Sequence, residues 1–87
     1  MARIVKFETG TQEIAIHRSE VVCFHQVVLD GDQRSHLHLS TFGSQDRASA
    51  PKSSQSLQIG KEEAKELMAI LLDTFPDLAP SPEHSTN

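Results

Sequence analysis

The segment from Leu57 to Phe75 constrains the fold most, because a short alternating strand runs directly into a strongly amphipathic helix. The apolar side chains of the helix recur every three or four residues, which places them on one stripe of a 3.6-residue period. The stripe consists of Leu67, Met68, Leu71, Leu72 and Phe75. Pro76 ends the helix, since proline lacks the N–H that a helix needs. Such a stripe requires an apolar surface beneath it, and the upstream sequence must supply that surface.

The upstream sequence alternates between apolar and polar side chains, a pattern typical of strands. Strands are predicted at about 3–8, 12–17, 20–29, 35–42 and 56–59, followed by a helix at about 61–75. Turn signals at Thr9–Gly10 and at Asp30–Gly31 predict two antiparallel hairpins. The sequence therefore predicts an α+β domain, a small antiparallel sheet of four or five strands with one C-terminal helix packed on one face.

A single domain is expected over 1–78, with a flexible loop at about 43–55 and a disordered, Pro/Ser-rich tail at 79–87. The expected core is Val5, Phe7, Ile14, Ile16, Phe24, Leu37, Leu39, Leu57, Ile59, Leu67, Met68, Leu71 and Phe75. A chain of 87 residues supports little core by itself, since a domain of this size buries only about 60% of its unfolded surface. A metal, a ligand or a second subunit is therefore expected to add stability.

Composition argues against two classes of partner. The net charge is −4, and the eight lysine and arginine residues are scattered, whereas nucleic-acid binding needs clustered cations. We expect no nucleic-acid partner. The sequence contains no apolar run of membrane-spanning length and no secretory leader, and its single Cys23 fits a reducing compartment. A cytoplasmic protein without a membrane partner is therefore expected.

Cysteine and histidine side chains form the one constellation with possible chemistry. His36 and His38 are two residues apart on one predicted strand, and Cys23 and His25 repeat that spacing on the neighbouring strand. Residues i and i+2 share a face of a sheet. If the hairpin register places both pairs on one face, the four side chains could bind zinc or another transition metal.

The other register separates the two pairs. Leu37 and Leu39 then share a face with Val27 and Leu29, which puts Cys23 and His25 in or near the core while the remaining histidines face water. A histidine that alternates with leucine is usually an ordinary polar residue of a strand, and a lone buried cysteine usually acts as a small apolar side chain. No catalytic constellation is evident, and a non-enzymatic protein is expected.

The predicted strand from Val21 to Leu29 is apolar on both faces, whereas one helix can cover only one of them. We therefore expect a surface that binds another protein or, more simply, a second copy of this chain, because a two-fold dimer covers the same patch twice. The predicted interface is Val21, Cys23, Val27, Leu29 and Ile70. The sequence thus favours a small, self-associating interaction or regulatory module without a cofactor, and the alternative is a small metal-binding protein.

Overall fold

The computed structural model describes residues 1–42 and 53–79, and over these ranges it contains four strands and one α-helix. The elements in chain order are β1 (Ala2–Ile4), β2 (Cys23–Leu29), β3 (Ser35–Phe42), β4 (Ser53–Ile59) and α1 (Lys61–Thr74), followed by a 3₁₀ turn at Pro76–Leu78. The predicted α+β class, with strands followed by one C-terminal helix, is confirmed.

The sheet has the order β1-β4-β3-β2 and is mixed rather than wholly antiparallel. β3 pairs antiparallel with both of its neighbours, whereas β1 pairs parallel with β4. The predicted hairpin between 3–8 and 12–17 is therefore wrong. β1 takes the edge of β4 as its partner, and the alternating residues near Ile14 and Ile16 have no neighbouring strand with which to form a ladder.

The β2–β3 turn lies where Asp30 and Gly31 predicted it, although its geometry depends on the aspartate rather than on the glycine. The Asp30 carboxylate accepts hydrogen bonds from the backbone N–H groups of Asp32 (2.8 Å) and Arg34 (3.0 Å). Gln33, not Gly31, takes the left-handed conformation, with φ of 65°. An aspartate side chain that closes a turn on its own backbone is a common device in short connections.

The strand register assigns every side chain of the sheet to one of two faces, because directly paired residues share a face. Val27 pairs with Leu37, and Leu37 in turn pairs with Ile59. The apolar face consists of Ala2, Ile4, Cys23, His25, Val27, Leu29, Leu37, Leu39, Leu57 and Ile59, together with the polar residues Ser35, Thr41 and Gln55 towards the strand ends. The polar face consists of Arg3, Phe24, Gln26, Val28, His36, His38, Ser40, Phe42, Ser56 and Gln58.

Very little of the apolar surface is covered. Among the described residues Ile59 is the one buried apolar side chain, with 4% of its surface exposed. Of the expected core, Phe7, Leu37, Leu39 and Leu67 are only half-buried. The remaining members of that prediction are exposed, which corrects it: Val5, Ile14, Ile16, Phe24, Leu57, Met68, Leu71 and Phe75. Side-chain periodicity specified which residues share a face, but it did not specify that this chain alone would bury them.

The helix begins at Gly60, whose N–H donates a hydrogen bond to the Glu63 carboxylate at 3.1 Å. Glu62 and Glu63 lie in the first turn, where acidic side chains stabilise the positive end of the helix dipole. Ala64 and Leu67 are half-buried, whereas no residue of α1 is fully buried. The half-buried residues of α1 are thus confined to its first two turns, and the distal part of its apolar stripe is exposed.

Residues 43–52 and 80–87, where most of the flexible loop and of the tail was predicted, lie outside the described residues. The predicted loop was drawn too long at its C-terminal end, because residues 53–55 already belong to β4.

Replacing Ile59 with alanine should lower the free energy of unfolding by about 2–5 kcal/mol, since it removes the one buried apolar side chain of the sheet. Ile16→Ala is the matched control, because Ile16 is 95% exposed and should change stability by less than about 0.5 kcal/mol. Urea unfolding at one fixed protein concentration measures both variants. A loss of equal size for Ile16→Ala would contradict the burial described above.

Candidate functional site

The largest uncovered feature of the molecule is the apolar face of the sheet. Its central part, here called the apolar trough, consists of Val27, Leu37, Leu39, Leu57 and Ile59. Val27 is 66% exposed and Leu57 is 44% exposed, although both lie in the middle of strands. Antiparallel strands commonly bury one face and leave the other in water, but the face left in water is normally polar. Here the uncovered face is the apolar one.

Two hollows occupy opposite ends of the apolar face. The first has a volume of about 760 Å³ and lies where Val27, Leu37 and Ile59 meet the start of α1. Polar and charged side chains also line it, among them Asp30, Arg34, His36 and Glu63. The second has a volume of about 380 Å³ and is lined by Cys23, Leu39 and Leu57, among others. The face is therefore a concave surface with room for an apolar element of another molecule.

The predicted interface residues fall on two separate surfaces, and all of them are exposed. Cys23, Val27 and Leu29 lie on the apolar face, Val21 precedes β2, and Ile70 lies on α1. The odd-numbered side chains of β2 thus share a face with Leu37 and Leu39, one of the two arrangements that the sequence left open.

The predicted metal set is not brought together. His25 pairs with Leu39 on the apolar face, whereas His36 and His38 pair with Val28 and Gln26 on the polar face. A one-residue change of register would have joined the pairs, because it moves every side chain of a strand to the other face. Within residues 1–42 and 53–79 no group of three or more metal-binding side chains shares a site. The prediction of a shared cluster of Cys23, His25, His36 and His38 is corrected accordingly.

Both polar-face histidines instead make local hydrogen bonds. His38 Nδ1 accepts a hydrogen bond from the Gln58 side-chain amide at 2.9 Å across the β3–β4 pair. His36 Nε2 lies 2.9 Å from Asp30 Oδ2, so its N–H donates to the carboxylate. The pKa of Asp30 is lowered to about 2 by the His36 hydrogen bond first and by the Arg34 backbone N–H second. A carboxylate that accepts several hydrogen bonds is stabilised in its charged form.

An Asp–His pair can orient a catalytic base. Both side chains border the larger hollow, but the ring nitrogen that Asp30 leaves free does not open to solvent. The Nδ1 atom of His36 is buried and has no hydrogen-bond partner. The ring lies against Gly60, where an added Cβ would approach His36 at 3.4 Å. A general base must reach the proton that it removes. The pair therefore links the β2–β3 turn to the start of α1.

Sequence analysis missed both the Asp30–His36 pair and the contact of Gly60 with Glu63. The first could have been anticipated from a hairpin register that places His36 beside the turn residue Asp30. The second follows from a glycine before a helix with glutamate at its third position, an arrangement that resembles a capping box. Leu37, Leu39 and Leu57 were assigned to the core, and the structure places them on the uncovered apolar face.

Comparison of this chain with protein-family models, with curated proteins and with solved structures found no match in any of the three. No helix within the described ranges is long and apolar enough to cross a membrane. The functional argument therefore rests on the geometry and chemistry of the described residues.

Replacing Asp30 with asparagine should lower the stability of the fold at pH 7, because the carboxylate accepts hydrogen bonds from His36 and from the turn backbone. The pKa of Asp30 in the folded chain, about 2, lies below its ordinary value of 3.8. Its contribution to stability is therefore complete above about pH 4 and is lost as the pH falls towards 2. Urea unfolding between pH 2 and pH 7 should show the two proteins converging at the acid end.

Asp32→Asn is the control for this experiment, since it removes the same charge from the same turn and keeps the Asp30–His36 pair. It should retain the fall in stability between pH 4 and pH 2. If Asp30→Asn kept that fall unchanged, the carboxylate would not be the group responsible.

Proposed function

We propose that this chain is a small non-enzymatic interaction module that self-associates through the apolar face of its sheet. The proposal rests on a mismatch between the apolar periodicity of the sequence and the exposure of those apolar side chains in the structure. The strands and the helix have the periodicity of elements that each bury one face, yet among the described residues Ile59 is the one buried apolar side chain. Exposed contiguous apolar surface of this kind is typical of protein–protein interfaces.

The expected partner is a second copy of the chain. A two-fold interface uses one patch twice, so a single apolar surface is enough for both subunits. Four of the five trough side chains still have surface to bury, because Ile59 is already buried. Completing their burial on both copies contributes roughly 8 kcal/mol at about 1 kcal/mol each. Association costs roughly 4–15 kcal/mol in lost freedom. The trough alone therefore gives a marginal interface, and the exposed stripe of α1 is needed as well.

Chemistry also favours a protein partner over the other classes considered. The exposed patch is apolar, and the net charge of −4 opposes binding to phosphate groups. The Nδ1 atom of His36 is buried and the ring lies against Gly60, which favours a structural role for the Asp30–His36 pair. A second, different protein could occupy the same face, and measurement of the assembly state distinguishes that case.

Val27→Lys should convert a wild-type dimer to a monomer or to an insoluble chain, because it would place an unpaired ammonium group inside the interface. Val27 lies in the trough and is 66% exposed in the single chain, so the lysine fits the monomer without strain. Sedimentation equilibrium at micromolar concentration measures the mass of each variant.

Gln26→Lys is the matched control, since Gln26 is the preceding residue and lies exposed on the polar face. This variant should remain a dimer. A wild-type chain that is monomeric, with Val27→Lys as stable as the parent, would contradict self-association and would leave a different protein as the partner.

Metal analysis tests the alternative function. Protein purified without an affinity tag should contain substoichiometric metal, and a chelator should leave its thermal stability unchanged, because the four predicted ligands lie on two faces. One bound zinc per chain, together with destabilisation by the chelator, would favour the metal-binding alternative.

A further inference from the structure

We infer that two copies of this chain exchange their helices, so that α1 of each copy lies in the apolar trough of the other. This inference rests on the self-association proposed above, and it adds that the helix of one copy contacts the sheet of the other. The helix stripe, defined as Leu67, Met68, Leu71, Leu72 and Phe75, is the occupant. Four of its five members are exposed, and Leu67 is half-buried.

The connection between β4 and α1 is the first reason. β4 ends at Ile59 and α1 begins at Lys61, which leaves Gly60 as the whole linker. Connections that return a helix onto its own sheet usually have about 2–6 residues. The helix of this chain therefore continues from the end of β4, and all of its half-buried residues lie in its first two turns. Short connections that prevent a return within one chain favour exchange between chains.

Local contacts fix the direction in which α1 leaves the end of β4. The Gly60 N–H donates to the Glu63 carboxylate at 3.1 Å, and the Gly60 carbonyl accepts from the Ala64 N–H at 2.9 Å. A Cβ at Gly60 would lie 3.0 Å from the Glu63 carboxylate oxygen and 3.4 Å from the His36 ring. Glu66 adds a further contact, because its carboxylate accepts the Phe7 N–H at 3.2 Å. The start of α1 is thus fixed from both sides.

The two uncovered surfaces match in kind and are similar in extent. The stripe from Leu67 to Phe75 covers eight helical steps, or about 12 Å at 1.5 Å per residue. The trough extends about 7 Å along β3, from Leu37 to Leu39, and about 10 Å across β2, β3 and β4. Both surfaces are apolar, one is convex, and the other contains hollows at both ends. One chain therefore contains both surfaces that a helix packed on a sheet requires, the helix stripe and the apolar trough.

This self-complementarity identifies the occupant as a second copy rather than an unrelated helix. Under two-fold symmetry each helix–trough contact forms twice, which covers both stripes and both troughs at once. Ile70, at the edge of the stripe and also exposed, would lie at the rim of the same contact.

Cysteine cross-linking between two differently sized chains tests the exchange. Both chains carry Cys23→Ser, so the native thiol on the apolar face does not react. One chain carries Leu57→Cys in the trough, and the other, lengthened by a C-terminal tag, carries Leu71→Cys on the stripe. The chains are mixed in denaturant, refolded together and oxidised, and disulfide-linked products are separated by size. Sedimentation of the reduced mixture reports assembly independently.

The expected product is a mixed disulfide between the two chains. It should form on the order of tenfold more than in a control mixture in which Ser56→Cys replaces Leu57→Cys, since proximity governs the rate. Ser56 is the adjacent residue of β4 and lies on the polar face. Val27→Cys and Leu39→Cys provide two further trough positions, which allows for a different register of the helix along the strands.

Three results would overturn the inference. A reduced dimer that gives no mixed disulfide at Leu57, Leu39 or Val27 would show a dimer of another geometry, with self-association intact. A chain carrying both Leu57→Cys and Leu71→Cys that forms only an internal disulfide would show that α1 folds onto its own sheet. A reduced monomer would refute the proposed self-association itself, together with the exchange.

Discussion

The pairing of Val27 with Leu37, and of Leu37 with Ile59, is the constraint on which the other features depend. These contacts set the register of β2, β3 and β4, and the register decides which side chains share a face. It gathers the aliphatic residues on one face and the histidines of β3 on the other. The apolar trough, the separation of the predicted metal ligands and the position of His36 beside Asp30 all follow from this register.

The Asp30–His36 pair shows how a local interaction supports that register. The carboxylate closes the β2–β3 turn through two backbone N–H groups and then holds the ring of His36. The ring in turn lies against Gly60, from which α1 begins. The Asp30–His36 pair therefore connects the turn of the hairpin with the start of the helix. An Asp–His contact of this kind, with the second ring nitrogen buried, has a structural use and needs no reaction to explain it.

The exposed apolar surface has a physical explanation in the size and connectivity of the chain. A small domain has little interior, and a one-residue connection limits how far its single helix can cover the sheet. In the proposed dimer, a second copy would cover this apolar surface and so offset the cost of exposing it to water. Stability and assembly would then be one property, as in other small proteins whose subunits share a core.

Much of the fold could be predicted from local pattern. The stripe from Leu67 to Phe75 predicted the helix and Pro76 its end, and alternation placed the strands beginning at Cys23 and Ser35 within a few residues. Such patterns are local because each follows from the period of one element. The strand predicted at 12–17 was wrong because strand formation is not local: a strand exists only where a neighbouring strand completes its hydrogen bonds.

The hairpin register and the burial of the side chains were decided by the tertiary structure alone. The histidine pattern was compatible with two registers of the β2–β3 hairpin. Only the observed strand pairing shows that His25 lies on one face of the sheet and that His36 and His38 lie on the other. Burial was likewise beyond the sequence, because period specifies the direction of a side chain while coverage depends on a second surface at the right distance. In this protein the sequence by itself determined which residues are apolar and which of them share a face within one strand or one helix. The three-dimensional arrangement decided how the strands align, and that among the described residues of the apolar face Ile59 alone is buried.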